Sequence, residues 1–341
     1  MRLPIELQRH FNNYLSGALP LCVVLGTGHT GWFEERFAEL HSYRIAADGG
    51  VSWIDFNDTF AYRGLLGTDV VGLEQAEQLD NVADYLEAAV AAGTYVILFV
   101  DLNRLQDLGR TLMHEFLVYG FEPATRSFVA AGFDRDRRFQ EFLFPASALE
   151  AAFRSGLEQI RTSERWNKMT AVAQTLTPGP RPAAVADPAR IVAALRRYLL
   201  SVVPDDFDPY GGYWWYSRAA DVAPGERIKF GLDVYDDARE HLRAAAEGQV
   251  RYDYRVVHLL AEHKRIVLDR LRLLTTPGEH EATISAYSSL VGDMERLRLA
   301  GLKHTLNRRR PLSPAHETDL AKVAATERSI LTDFLEGNRW L

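Results

Sequence analysis

The chain has 341 residues, 47% of them apolar and 25% charged, which is long enough to bury a sizeable core and has the usual balance of a folded globular protein. Its formal charge of −7 (39 basic against 46 acidic side chains) argues against nucleic acid held on a basic surface. The single cysteine, Cys22, excludes an internal disulfide and fits a reducing, cytoplasmic setting; no apolar run approaches the ~18 residues of a membrane span, and the first residues lack a signal-like stretch.

In chain order, residues 4–16 read as a short amphipathic helix with Ile5, Leu7, Phe11 and Leu15 near one side. Residues 18–25 form an apolar, strand-like run containing Cys22, and Gly26-Thr27-Gly28-His29-Thr30-Gly31 follows. Trp32, Phe33, Phe37 and Leu40 recur at helical spacing, which predicts a helix over 32–40. Strands are expected at 43–47 and 51–56, around the turn signal Asp48-Gly49-Gly50, and 56–69 reads as irregular. The stripe Leu73, Ala76, Leu79, Val82, Leu86 and Val90 predicts one long helix over 72–92. A buried strand, 95–100, leads to Asp101.

Next comes a predicted hairpin, with strands at 113–119 and 127–133 joined by a turn region at 120–126. The first strand is apolar apart from His114 and Glu115, so the hairpin is expected inside a sheet. Further strands are expected at 139–144 and 168–176. Between them a helix begins at Pro145-Ala146-Ser147, with Ser147 as cap and Glu150 three positions on. The Pro-rich stretch 177–187 reads as a stiff linker, and Asp187-Pro188 as a helix start. Beyond it, helices are predicted at 188–202, 231–247, 251–274, 281–306 and 314–336. The irregular stretch 204–225, with the aromatic run 210–216, interrupts them. The expected organisation is α+β, with an antiparallel sheet in a first domain (1–178) and an all-helical second domain (188–341).

Several residues bear on chemistry. Gly26 to Gly31 has the spacing of a dinucleotide fingerprint, with Asp48 about 20 residues on, although an antiparallel hairpin downstream argues against a doubly wound sheet. Cys22 reads either as a buried small hydrophobe or as a nucleophile. His114 stands on a rigid strand and reads either as a satisfied histidine at a strand end or, with Glu122 and Asp134 as candidate carboxylate partners, as the base half of a nucleophilic dyad or triad; Asp134, after Gly132-Phe133, reads equally as a turn former. Asp101 reaches the same rim if the strands are neighbours. Arg255, His258 and Glu262 share one helix face, as a network bracing the bundle or as substrate contacts; no metal-ligand spacing is present.

These segments together resemble a known family. Trp32-Phe33-Glu34-Glu35-Arg36-Phe37-Ala38-Glu39-Leu40, Trp53-Ile54-Asp55-Phe56, Val96–Asp101, the two hairpin strands and Tyr252–Lys264 are similar, in order and spacing, to proteins like butirosin biosynthesis protein H. The resemblance covers nearly the whole chain. It implies a papain-like, leader-peptidase-like first domain and a place in nonribosomal peptide or other specialised-metabolite biosynthesis. It further implies acyl transfer, amide formation or cyclisation from a carrier-protein thioester, the phosphopantetheine being carried by that acyl or peptidyl carrier protein, with a small-molecule amine as acceptor. Carried over, His114 is general base, Asp134 its orienter and Cys22 the one available cysteine nucleophile. Without a cysteine nucleophile, His114 deprotonates the amine directly. A non-catalytic scaffold that docks a carrier protein or partner enzyme, and a nucleotide-binding protein using Gly26 to Gly31, are the alternative expectations.

Overall fold

The computed structural model describes residues 1–45, 51–164, 166–167, 169–180, 184–205, 207, 228–276, 278–307 and 312–337. The turn at 48–50, the aromatic run 210–216 and the arginines 308–310 lie outside them. The chain groups into two compact units, one of Met1–His29 with Phe60–Ala183, the other of Thr30–Thr59, Ala184–Phe207 and the chain from 228 onward. Residues 30–59, read above as part of the first domain, group with the second unit. Elements are numbered in chain order.

The first unit holds α1 (Leu15–Gly26), β3 (Leu66–Gly72), α3 (Leu73–Glu77), α4 (Val82–Ala91), β4 (Tyr95–Asp101) and α5 (Asn103–Gln106). It continues with β5 (Met113–Glu122), β6 (Ser127–Phe133), β7 (Phe139–Pro145), α6 (Ala146–Thr162) and β8 (Ala171–Pro178). The strands form one antiparallel sheet in the order β3-β8-β4-β5-β6-β7, so the hairpin strand β5 is internal, as its apolar run predicts. Phe116, Val118, Phe128 and Ala130 face α4 and α6 and pack with Leu86, Val90, Leu149 and Phe153. Each of the Val, Leu and Phe side chains, fully buried, contributes about 1.5–3 kcal/mol. α1 lies against β5, β6 and β8, and none of its residues joins that cluster, so it covers the other face.

Several local expectations are corrected here. Residues 4–14 are not helical; the N-terminal segment runs beside β5, with Leu3 N–H donating to the Tyr119 carbonyl at 2.8 Å. The apolar run around Cys22 is a helix, which satisfies its backbone groups internally while buried on nearly every side; hydrophobicity without a period cannot tell such a helix from a buried strand. The helix expected over 72–92 is two, α3 and α4. Asn81 restarts the second by accepting the N–H groups of Ala83 and Asp84, while the apolar stripe still faces the core. β3 falls partly in the stretch read as irregular. Ser147 is no cap: α6 begins at Ala146, and Glu150 instead accepts the Val82 N–H at 2.7 Å, at the start of α4.

The second unit holds α2 (Thr30–Glu34), β1 (Leu40–Ile45), β2 (Val51–Phe56), α7 (Pro188–Leu199), β9 (Lys229–Phe230), α8 (Val234–Ala246), α9 (Arg255–Leu273), α10 (Glu281–Leu306) and α11 (Ala315–Gly337). It is not all-helical, since β2, β1 and β9 form a three-stranded antiparallel sheet. The helix expected over 32–40 stops at Glu34. Phe37 adopts a left-handed backbone (φ 62°) and gives its N–H to Asp58 at 2.8 Å. Phe33 and Phe37 are buried all the same, so their spacing reported burial rather than helix. Asp187 caps α7 with Pro188 in the first turn, as expected.

The core of this unit is polar at one point. Lys264 on α9 reaches Glu327 on α11 at 2.5 Å, and neither side chain has any exposure. Tyr198 (α7), Tyr235 (α8) and Tyr287 (α10) all donate their hydroxyls to the same carboxylate, at 3.1, 2.9 and 2.5 Å. Five helices are thereby tied to one carboxylate. Burial pulls the Lys264 ammonium down to about 8 against the pull of Glu327, and pushes all three phenols well above their ordinary value. No helix among the described residues is long and apolar enough to cross a membrane.

Candidate functional site

The antiparallel order of β4, β5 and β6 brings three sequence-predicted residues to one margin of the sheet. Asp101 ends β4, His114 is the second residue of β5 and pairs with Val100, and Asp134 follows the last residue of β6. The margin is braced by side chains. Gln106 donates its amide to the Phe133 carbonyl at 2.9 Å, tying the α5 loop to the end of β6. Phe133 sets its ring edge to His114 (centroids 6.1 Å apart) and packs on Phe139 at 5.9 Å.

The two aspartates build this margin instead of orienting the histidine. Asp101 is buried and accepts the backbone N–H of Asn103 (3.2 Å) and Leu112 (3.1 Å), and the Ser155 hydroxyl from α6 (2.9 Å). Asp134 accepts the Arg138 N–H at 2.8 Å and the Gln140 amide at 2.6 Å, closing the turn before β7. Glu122, at the far end of β5, pairs with Arg2 at 3.0 Å.

The carboxylate beside His114 is Glu115, whose Oε2 lies 3.2 Å from Nδ1. Neighbouring strand residues ordinarily point to opposite faces, which is why alternation gives no hint of this pair. The imidazole is about one-third exposed, while the Glu115 side chain is nearly buried. Burial works against the imidazolium, but the Glu115 charge and hydrogen bond outweigh it, so the His114 pKa stands above the ordinary 6.5. The Glu115 N–H also lies 3.1 Å from Nδ1. With the proton on Nδ1, that nitrogen donates to Glu115 and Nε2 is left as the acceptor; with it on Nε2, Nδ1 accepts from the backbone. Nε2 makes no hydrogen bond to a described residue. Two buried amide oxygens at the same margin, Asn103 Oδ1 and Gln106 Oε1, receive no hydrogen bond from a described residue.

Cys22 is not part of this arrangement. It is fully buried in α1, gives its thiol to the Ala18 carbonyl at 3.3 Å, and burial pushes its pKa up to about 12. α1 covers the face of the sheet opposite to the one shared by His114, Phe116 and Val118, so thiol and imidazole do not meet. Burial, the raised pKa and the position of the thiol all speak against a nucleophilic Cys22.

The glycine motif also has a packing explanation. A helix, not a strand, precedes it, against the requirement of a dinucleotide fold. A Cβ on Gly26 would sit 2.2 Å from the Ile5 backbone, and one on Gly31 2.0 Å from the Ala184 carbonyl oxygen; Gly28 has φ 86° just past the helix end. In the second unit, the face expected to join Arg255, His258 and Glu262 divides. Arg255 clasps Asp253 (2.9 and 3.0 Å) and lies 5.0 Å over Trp53, while His258 pairs with Glu262 at 3.2 Å. Among the described residues no group of three or more His, Cys, Asp or Glu side chains is placed to hold a metal ion. Glu115 and the Lys264–Glu327 centre escaped the sequence reading. Neither carried a usable signal: strand alternation turns Glu115 away from His114, and Lys264 and Glu327 stand 63 residues apart. No protein-family model matches the chain, and no curated protein matches it.

Proposed function

We propose that this chain is a papain-like enzyme of specialised-metabolite biosynthesis that forms an amide from a carrier-protein thioester and a small-molecule amine, with His114 as general base. The supporting observation is the His114 ring, about one-third exposed, with Nδ1 at 3.2 Å from the Glu115 carboxylate and Nε2 unclaimed by any described residue. The buried thiol favours the direct route over a covalent one. The amine nitrogen attacks the thioester carbon, and the proton it sheds passes to Nε2. The C–S bond then breaks as the tetrahedral intermediate collapses, and the imidazolium returns the proton to the departing thiolate. Glu115 holds the ring in the working tautomer and stabilises the imidazolium formed on the way. Phe133 with Phe139 offers an apolar wall beside the ring.

The test is intact-protein mass spectrometry of an acyl-loaded carrier protein incubated with the chain and candidate amines. Wild type and Cys22→Ala discharge the carrier and yield amide; His114→Ala, checked for folding by its melting temperature, does not. Discharge that continues undiminished in His114→Ala rejects the reading. It would instead favour the non-catalytic scaffold.

A further inference from the structure

The margin that carries His114 is also where unpaired positive charge collects. Arg104 and Arg110 lie on the loop between β4 and β5, and Arg135, Arg137 and Arg138 on the turn between β6 and β7. All five are exposed, and none makes an ion pair with a described residue. Elsewhere exposed arginines are commonly paired: Arg2 with Glu122 and Glu141, Arg161 with Glu77, Arg190 with Glu35, Arg272 with Asp269. The exposed acids on the two segments are Asp107 and Asp136, while Asp101, Glu115 and Asp134 are occupied with their own partners. A local excess of cationic side chains in a chain of net charge −7 is not a consequence of composition.

The two segments are held together and held still. Gln106 joins the first to the end of β6 at 2.9 Å, and Asp101 fixes both ends of that loop through Asn103 and Leu112. Asp134 spends its carboxylate on the turn that displays the other three arginines. Guanidinium groups on such a braced frame match the oxygens of a phosphate, to which they donate in pairs.

We propose that these arginines form a phosphate-recognition rim beside His114, and that the substrate acted on there carries a phosphate ester. The inference rests on the reading of His114 as the working base only for what lies next to the phosphate; the binding itself can be measured without turnover. For a thioester donor, the rim takes the phosphate of the arm while the acyl end reaches the imidazole. A free phosphate ester and one borne on a carrier protein share this chemistry.

The experiment compares acyl-4′-phosphopantetheine with acyl-pantetheine, free in solution, as donors for the full-length chain, and adds the acyl-loaded carrier protein, whose arm is joined through its phosphate, as a third donor. Binding is read separately by titration on His114→Ala. The expected result is a KM, and a dissociation constant in His114→Ala, about tenfold lower for the phosphorylated arm at low ionic strength, shrinking as salt is added. In Arg135→Gln/Arg137→Gln/Arg138→Gln this preference falls to near unity, and in Arg104→Gln/Arg110→Gln it is reduced. Arg126→Gln, at the opposite end of the same hairpin, retains it. Equal affinity for the two arms in the wild type, or a preference untouched in the triple variant, overturns the proposal. Efficient use of the carrier donor while the free phosphorylated arm gains nothing over acyl-pantetheine assigns the contact to carrier side chains and overturns it too. Selective phosphate binding without turnover leaves the rim standing and rejects the acyl-transfer reading; turnover without selectivity does the reverse.

Discussion

Replacing Glu327 by glutamine tests whether the five helices of the second unit depend on one carboxylate. The change keeps the shape of the side chain but removes the charge opposite Lys264, and it sets an amide N–H₂ against donors that now number four: the ammonium and the hydroxyls of Tyr198, Tyr235 and Tyr287. Breaking one partner of a buried pair typically costs about 3–5 kcal/mol, because the remaining ion has no water to turn to. Both side chains here are fully buried, so solvent does not soften the loss. For a unit of this size, about 2–4 °C of melting temperature goes with each kcal/mol, which gives a fall of about 6–20 °C. Lys264→Met leaves the carboxylate charged but still held by three phenols, and is expected to cost less. Unfolding in urea, followed by far-UV circular dichroism on both single variants and the double, completes a thermodynamic cycle. The double variant should be more stable than the sum of the singles predicts, by roughly 0.5–3 kcal/mol. Strict additivity, or a Glu327→Gln variant within about 1 kcal/mol of wild type, refutes the idea that this pair is a coupled centre.

Three further outcomes follow from the first unit. On the proposed reading of His114 as general base, the ring must be unprotonated to act, so the rate is low in acid and rises with pH, with an inflection displaced upward from the ordinary histidine value because the His114 pKa is raised. Glu115→Gln removes the charge that raises it while burial remains, so the inflection of a pH–rate profile moves to lower pH; an unchanged or higher inflection contradicts the pairing. The same pair contributes stability that is fully present below 6.5 and lost as pH rises through the folded-state value, so the two proteins should converge in stability at alkaline pH. Cys22, with its pKa pushed up to about 12, should resist a thiol reagent at neutral pH in the native protein and titrate as one thiol in denaturant. Rapid native modification would contradict its burial.

What the sequence decided by itself is local. Hydrophobic period placed the stripe from Leu73 to Val90 on the core and gave the bounds of α10, and the apolar run beginning at Met113 told that β5 is interior. Asp187-Pro188 announced a helix start because the cap bond and the missing proline N–H are both satisfied within three residues. Side-chain spacing also put His114 on a rigid strand.

What spacing could not decide depends on partners distant along the chain. Whether the segment around Cys22 coils or extends is set by the sheet that buries it, and with it the fate of the thiol. Asp134 looked like an orienter, but the turn it closes claims both oxygens, while Glu115, which alternation turns away, is the carboxylate that meets the ring. Lys264 and Glu327 are ordinary surface letters in a linear reading; only packing of five helices removes their water and makes each the other's obligatory counter-ion.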